Sequence, residues 1–225
     1  MRLIPKKQPQ ALRTSVIKTM RKHQSLYSTD EWNNPVQVIA VRGYYLNTMG
    51  KYGVNDRGIY DDAKFILTAD HFSSYNANTD PSRSRTGMAS LKAPQVITYK
   101  PGYHGYNSKF GHQAFRQRSH VTVFRDGTDH YPVGKKHPSY GLCVSKGFWS
   151  DRSGSRFWIN DHRGGKKTTS SAGCQTVPPD QWDAYHSTLE LLLARHQPDV
   201  PRSKRWYSYL LVEDPRIANN FLCRK

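Results

Sequence analysis

Phe157-Trp158-Ile159-Asn160-Asp161-His162-Arg163-Gly164-Gly165-Lys166-Lys167-Thr168-Thr169-Ser170-Ser171-Ala172-Gly173-Cys174-Gln175-Thr176 is the stretch on which the reading of this chain turns. Phe157 to Asn160, aromatic and β-branched, predicts a short strand. His162 follows at the strand's end, Gly164-Gly165 breaks the chain, and a Ser/Thr-rich loop leads to Gly173-Cys174. Nucleophilic cysteine chemistry needs a thiol, a base within hydrogen-bond reach and N–H groups for an oxyanion. The stretch offers Cys174 as nucleophile, His162 as base and the loop amides of Ser171 to Cys174, Gly173 among them, as oxyanion donors. Arg163, Lys166 and Lys167 predict a lowered thiol pKa, with Arg163 also on the substrate side. A lone cysteine is more often a small buried hydrophobe. The polar neighbours Ser170, Ser171, Gly173 and Gln175 favour the catalytic reading here.

His162, Gly164-Gly165 and Ser170-Ser171-Ala172-Gly173-Cys174 together resemble the active-site segment of the L,D-transpeptidase catalytic domain. The body from Val36 to Val212 is also similar to phage-encoded lysis proteins carrying such a domain. The phrases that carry this are Gly53-Val54-Asn55-Asp56-Arg57-Gly58-Ile59-Tyr60-Asp61-Asp62, Asn76-Ala77-Asn78-Thr79-Asp80-Pro81-Ser82 and His162-Arg163-Gly164-Gly165. The resemblance implies a β-rich α+β fold, an L,D-transpeptidase-like sandwich or barrel with flanking helices. It also implies acyl transfer on the peptides of bacterial peptidoglycan. Ala172 stands where the family has a histidine, Gln175-Thr176 replace residues that include an arginine, and the His-to-Cys gap is short. The nucleophile and base are kept, and cleavage of wall peptides is expected ahead of transpeptidase or carboxypeptidase action.

With 225 residues the chain suffices for one sizeable core, and 36% hydrophobic residues describe a polar protein. Its formal net charge of +17 implies an anionic partner, be it nucleic acid, an envelope surface or a wall polymer. No apolar run is long enough for a membrane span, and no secretory signal is visible. Cys143, Cys174 and Cys223 fit no disulfide or metal spacing, so synthesis in a reducing host cytoplasm is expected, with action on the wall after release. No cofactor is read, and a monomer is expected.

Residues 1–31 carry Arg2, Lys6, Lys7, Arg13, Lys18, Arg21 and Lys22 against Asp30 and Glu31. Leu12, Val16, Met20 and Tyr27 recur at helical spacing, which predicts a basic helical arm ahead of a catalytic domain over 32–225. Such an arm suits an anionic surface; a helix covering the core, or a frayed tail, is the plainer reading. Strands are expected at Val36–Val41, Lys64–Thr68, Val96–Lys100, Val121–Phe124 and Tyr207–Val212, with a hairpin at Asp126-Gly127 and a groove wall from there to Phe148. Gly43 to Asp62 is expected as a long loop and His71 to Pro94 as irregular. Asp61-Asp62 are expected to bond turns rather than act as acids. Asn76, Asn78 and Asp80 lack the glycine and glutamate of a calcium loop. After Pro179, Trp182, Tyr185, Leu189, Leu192, Leu193 and His196 share one face of a helix packed outside.

His104, in Gly102-Tyr103-His104-Gly105, is a candidate substrate or oxyanion residue. A zinc hydrolase built on His104, His162 and Cys174 is an alternative, although their spacing is not that of a standard zinc motif. A basic nucleic-acid-binding protein is another, against which stand dispersed charges and no recognisable module. The orienting group for His162 is either a backbone carbonyl or Asp126.

Overall fold

Runs of β-branched and aromatic residues such as Val38-Ile39-Ala40-Val41 and Tyr209-Leu210-Leu211-Val212 form strands that are largely buried on both faces. The computed structural model describes residues 2–52, 55–83, 88–105, 109, 111–126, 143–147, 149–150 and 156–215. Its strands are β1 Gln37–Arg42, β2 Asp62–Leu67, β3 Phe72–Ala77, β4 Met88–Leu91, β5 Gln95–His104, β6 His112–Gln117 and β7 Val121–Asp126. They continue with β8 Cys143–Gly147, β9 Trp149–Ser150, β10 Arg156–Phe157, β11 Asp161–Arg163, β12 Gln175–Val177 and β13 Tyr207–Glu213. Helices are α1 Arg13–Lys22, α2 Thr29–Asn33 and α3 Pro179–His196.

Eight strands form one sheet in the order β12-β11-β6-β5-β13-β1-β2-β3. Just past β3, Asn78 exchanges both backbone hydrogen bonds with Thr176 of β12, at 2.9 and 2.8 Å, so the two edges meet. The result is a β-rich α+β fold around a nearly closed, barrel-like sheet. The phrase Asn76-Ala77-Asn78 is therefore the seam of the barrel. A smaller sheet, β4-β7-β8, packs Ala89, Leu91, Val121 and Val123 into the same core.

α3 begins at a proline, where no N–H is needed, and places Trp182, Tyr185, Leu189, Leu192 and Leu193 in the core with Val38, Tyr99, Phe115 and Tyr209. Gln181 bonds the backbone and side chain of Asn76, stitching α3 to the seam. Its apolar stripe faces the core, while Asp183, Ser187 and Leu191 on the opposite side are exposed. The other face of the sheet (Ile39, Phe65, Leu67, Leu210 and Val212) is covered by Val16 of α1, with Ala11, Ile17, Met20 and Tyr27 beside it. Arg13 donates to the carbonyls of Thr68 and Ala69, and the Tyr60 N–H bonds the Leu3 carbonyl. Residues 2–31 are thus laid along the body, while Lys18, Arg21 and Lys22 remain exposed.

The stretch expected to be irregular, His71 to Pro94, holds β3 and β4. Polar Ser73, Ser74 and Asn76 hid β3, which the register with β2 supports from Asp62↔Ala77 to Leu67↔Phe72. The strand expected at Phe157–Asn160 is displaced: β10 ends at Phe157 and β11 starts at Asp161. Between them Asn160 lends its side-chain oxygen to the Gln117 N–H, at 3.3 Å, interrupting the backbone ladder. Among the described residues no helix is long and apolar enough to cross a membrane. The turn at Gly127, most of the groove wall to Phe148, and Cys223 lie outside the described residues, as do the side chains of Asp126 and Cys143.

Candidate functional site

Register alone collects the site. In β11, His162 pairs with Ala114 of β6 on one side and Thr176 of β12 on the other. Side chains two apart along a strand share a face. Asn160 and His162 therefore project with Cys174, which lies two residues before Thr176. In the β5–β6 hairpin His104 lies directly opposite His112, and His112 shares its face with Ala114. His104, His112, His162 and Cys174 thus converge on the face opposite the core. Phe115, Asp161 and Gln175 point the other way.

One donor atom from each of His104, His162 and Cys174 lies within 4.8 Å of the other two. The rings of His104 and His162 stack with centroids 3.9 Å apart, and His112 stands 5.3 Å from His162. Nδ1 of His162 lies 2.7 Å from the Arg163 carbonyl oxygen. A carbonyl only accepts, so the proton sits on Nδ1 and Nε2 carries the lone pair. The backbone carbonyl thus orients His162. His104 is set the opposite way. The Asn160 oxygen faces the Gln117 N–H, so the Asn160 amide nitrogen donates to His104 Nδ1 at 3.1 Å, leaving the His104 proton on Nε2.

Cys174 is 5% exposed and His162 3%. Burial pushes the thiol up to about 11, with the Asn160 N–H and Lys64 opposing and Asp161 assisting. The expected lowering by Arg163, Lys166 and Lys167 is overturned, because these side chains point to solvent while the sulfur is desolvated. Burial, and then the neighbouring His104, push His162 well below its ordinary value. His104 is lowered to about 4, by burial first and then by His112 and Arg116. At rest a neutral thiol, donating to the Trp158 carbonyl at 3.6 Å, lies beside a neutral imidazole.

The loop around Cys174 is held from two distant segments, one at Tyr60 and one from Thr79 to Ser82. Ser171 donates its N–H to Ser82 Oγ at 2.7 Å and accepts, on its carbonyl, from the Ser82 N–H. Tyr60 donates to the Gly165 carbonyl at 2.9 Å, and Gln175 donates to the Thr79 carbonyl. A side chain at Gly164 would strike the Tyr60 hydroxyl at 2.1 Å, and Gly173 has φ of +146°. The Gly173 N–H bonds Ser171 Oγ at 3.0 Å, and Ser171 Oγ bonds the Cys174 carbonyl. With the Ser171 and Gly173 amides so engaged, Ala172 and Cys174 supply the amides that remain for an oxyanion. The Arg163 side chain is exposed, and its part in the site is its carbonyl.

Behind the site, Asp161 forms a fully buried pair with Lys64 at 2.6 Å and accepts from the Tyr185 and Tyr207 hydroxyls. His112, Asn160, Lys64 and Asp161 were not singled out from sequence. A hairpin turned at Gly105 pairs His104 with His112, which is the one signal that could have found it. Searches against protein-family models, curated proteins and solved structures return no match.

Proposed function

We propose that the protein is a cysteine peptidase of the bacterial cell wall, of the L,D-transpeptidase-like kind that its sequence resembles. The observation that carries this reading is the placement of Cys174 and His162 on one sheet face, with His162 Nδ1 tied to the Arg163 carbonyl. His162 Nε2 takes the thiol proton as Cys174 Sγ attacks a peptide carbonyl carbon. The oxyanion accepts from the Nε2–H of His104 and the Cys174 amide. Collapse expels the amine, which leaves with the proton from His162, and a thioester remains. Water, deprotonated by the same imidazole, hydrolyses that thioester and frees the thiol.

Because the resting thiol is neutral, proton transfer accompanies attack instead of preceding it. The excess of cationic side chains suits an anionic wall polymer. The test is muropeptide mass spectrometry after incubation of purified peptidoglycan with wild-type protein and Cys174→Ser. New stem-peptide fragments from the wild type alone support the reading; identical products from both defeat it.

A further inference from the structure

We infer that His104, His162 and Cys174 form a binding site for a thiophilic divalent cation of the zinc class. Two imidazoles and a thiol whose donor atoms all lie within 4.8 Å are a soft ligand set. Closing it around zinc draws the donors in by about 1 Å and turns the His104 ring out of its stack on His162, because the in-plane lone pairs of two parallel rings cannot meet at one ion. His104 and His162 project from one hydrogen-bonded sheet and Cys174 from the residue before its edge strand, so little chain has to be ordered. His162 already has its Nδ1–H on a carbonyl, as metal-bound histidines do, which leaves the lone pair of its other nitrogen to ligate. Three protein ligands leave a fourth tetrahedral position open.

His104 is the adjustable member. Its Nε2 must give up its proton to ligate, and Nδ1 must then donate. Turning over the Asn160 amide presents Oδ1 to that N–H, at the expense of the 3.3 Å bond from Gln117. Binding also releases the thiol proton to solvent, so that Cys174–SH and M²⁺ give a metal thiolate and H⁺. The sulfur and the His162 lone pair are then both occupied, and acyl transfer stops. That consequence for activity rests on the peptidase reading; the binding itself does not.

The test uses the whole chain, stripped with chelator and titrated with Co²⁺ and then with Zn²⁺. One equivalent of Co²⁺ should give a thiolate-to-cobalt charge-transfer band, which Zn²⁺ displaces. Cys174→Ala should abolish the band and weaken Zn²⁺ by about 100-fold, and His104→Ala by at least about 10-fold. Asn160→Asp supplies a permanent acceptor for His104 Nδ1–H and should tighten Zn²⁺ by about 10-fold, a gain that no misfolded variant would mimic. Stoichiometric Zn²⁺ should halt wall digestion and chelator restore it. Absence of the band in wild type, or equal Zn²⁺ affinity in Cys174→Ala, overturns the site. A protein that digests wall but binds no metal defeats this inference alone. One that binds metal through these residues yet never digests wall defeats the peptidase reading and leaves the site standing.

Discussion

The imidazoles of His104 and His162 lie face to face, their planes 10° apart, with opposite tautomers fixed by Asn160 and the Arg163 carbonyl. Burial keeps both rings neutral, helped by the charge that His104 would place on His162 and that His112 would place on His104. One ring offers a lone pair and the other an N–H. Removing that N–H with His104→Ala should lower kcat by roughly 100-fold with little change in KM, because the bond is strongest to the developing oxyanion. His104→Gln, which keeps a donor, should recover part of the loss. Steady-state kinetics on a soluble muropeptide decide it, and a loss confined to KM would remove His104 from the chemistry.

The Lys64–Asp161 pair predicts a stability effect distinct from catalysis. Both side chains are fully buried, and Asp161 also accepts from Tyr185 and Tyr207. Asp161→Ala strands an ammonium in the core and should cost about 3–5 kcal/mol in urea unfolding. Lys64→Met combined with Asp161→Asn should cost less than Asp161→Ala alone, since no charge is left unpaired. If the double variant is the less stable, the pair stabilises the fold beyond compensating its own desolvation.

Where the sequence was readable, period and punctuation made it so. α3 is legible from Trp182 to Leu193 because its stripe faces the core and Pro179 marks its start. β1, β2, β5 and β13 carry apolar runs. β3 and β6 do not, because their polar side chains bond neighbouring elements, Asn76 to Gln181 of α3 and Gln117 to the Ile159 N–H. Cys174 and His162 stand out locally, and His104 was a candidate. Their meeting depends on register between strands that no local pattern encodes, and so does the partnership of Asn160 with His104. The thiol pKa was misjudged because sequence shows charged neighbours but not which of them face water.

Asp61 predicts a pH dependence of stability. Burial, then the adjacent Asp62 charge, raises its pKa from 3.8 to about 9, against one bond from the Asp56 N–H. A raised folded pKa means that the folded state binds more protons than the unfolded one. The stability from this group is therefore complete below 3.8 and is lost as pH rises toward about 9. The loss falls in the neutral and mildly alkaline range, where the unfolded carboxyl is already ionised and the folded one is not. Asp61→Asn should flatten that part of the curve and be the more stable protein in mild alkali. Parallel curves for variant and wild type would mean that Asp61 is ionised in the fold.

The basic N-terminal segment separates two roles. Deleting residues 1–31 uncovers Ile39, Phe65, Leu67 and Leu210, so both purified-substrate and whole-cell activity should fall with stability. Lys18→Gln, Arg21→Gln and Lys22→Gln together change exposed charge only. That variant should keep its unfolding midpoint and its activity on soluble muropeptides while losing action on whole cells, most at low salt. An unchanged whole-cell rate would leave the segment as a cover for the sheet and nothing more.

The decisive prediction concerns Cys174 and His162 as one unit. Cys174→Ser alters little volume yet replaces a thiol with a far weaker nucleophile, and should lose roughly a thousandfold or more in kcat while keeping its unfolding midpoint. His162→Ala should lose a similar amount, and the double variant should be no worse than either, since both act in a single proton-coupled attack. Iodoacetamide gives an independent reading in metal-free protein. With the thiol 5% exposed and its pKa near 11, alkylation of Cys174 should be slow at neutral pH. It should then rise about tenfold for each pH unit as the thiolate forms. Peptide mapping should show inactivation tracking Cys174 labelling at every pH. Rapid alkylation at neutral pH would mean an ion pair in place of the neutral pair, and full activity in Cys174→Ser would end the proposed mechanism.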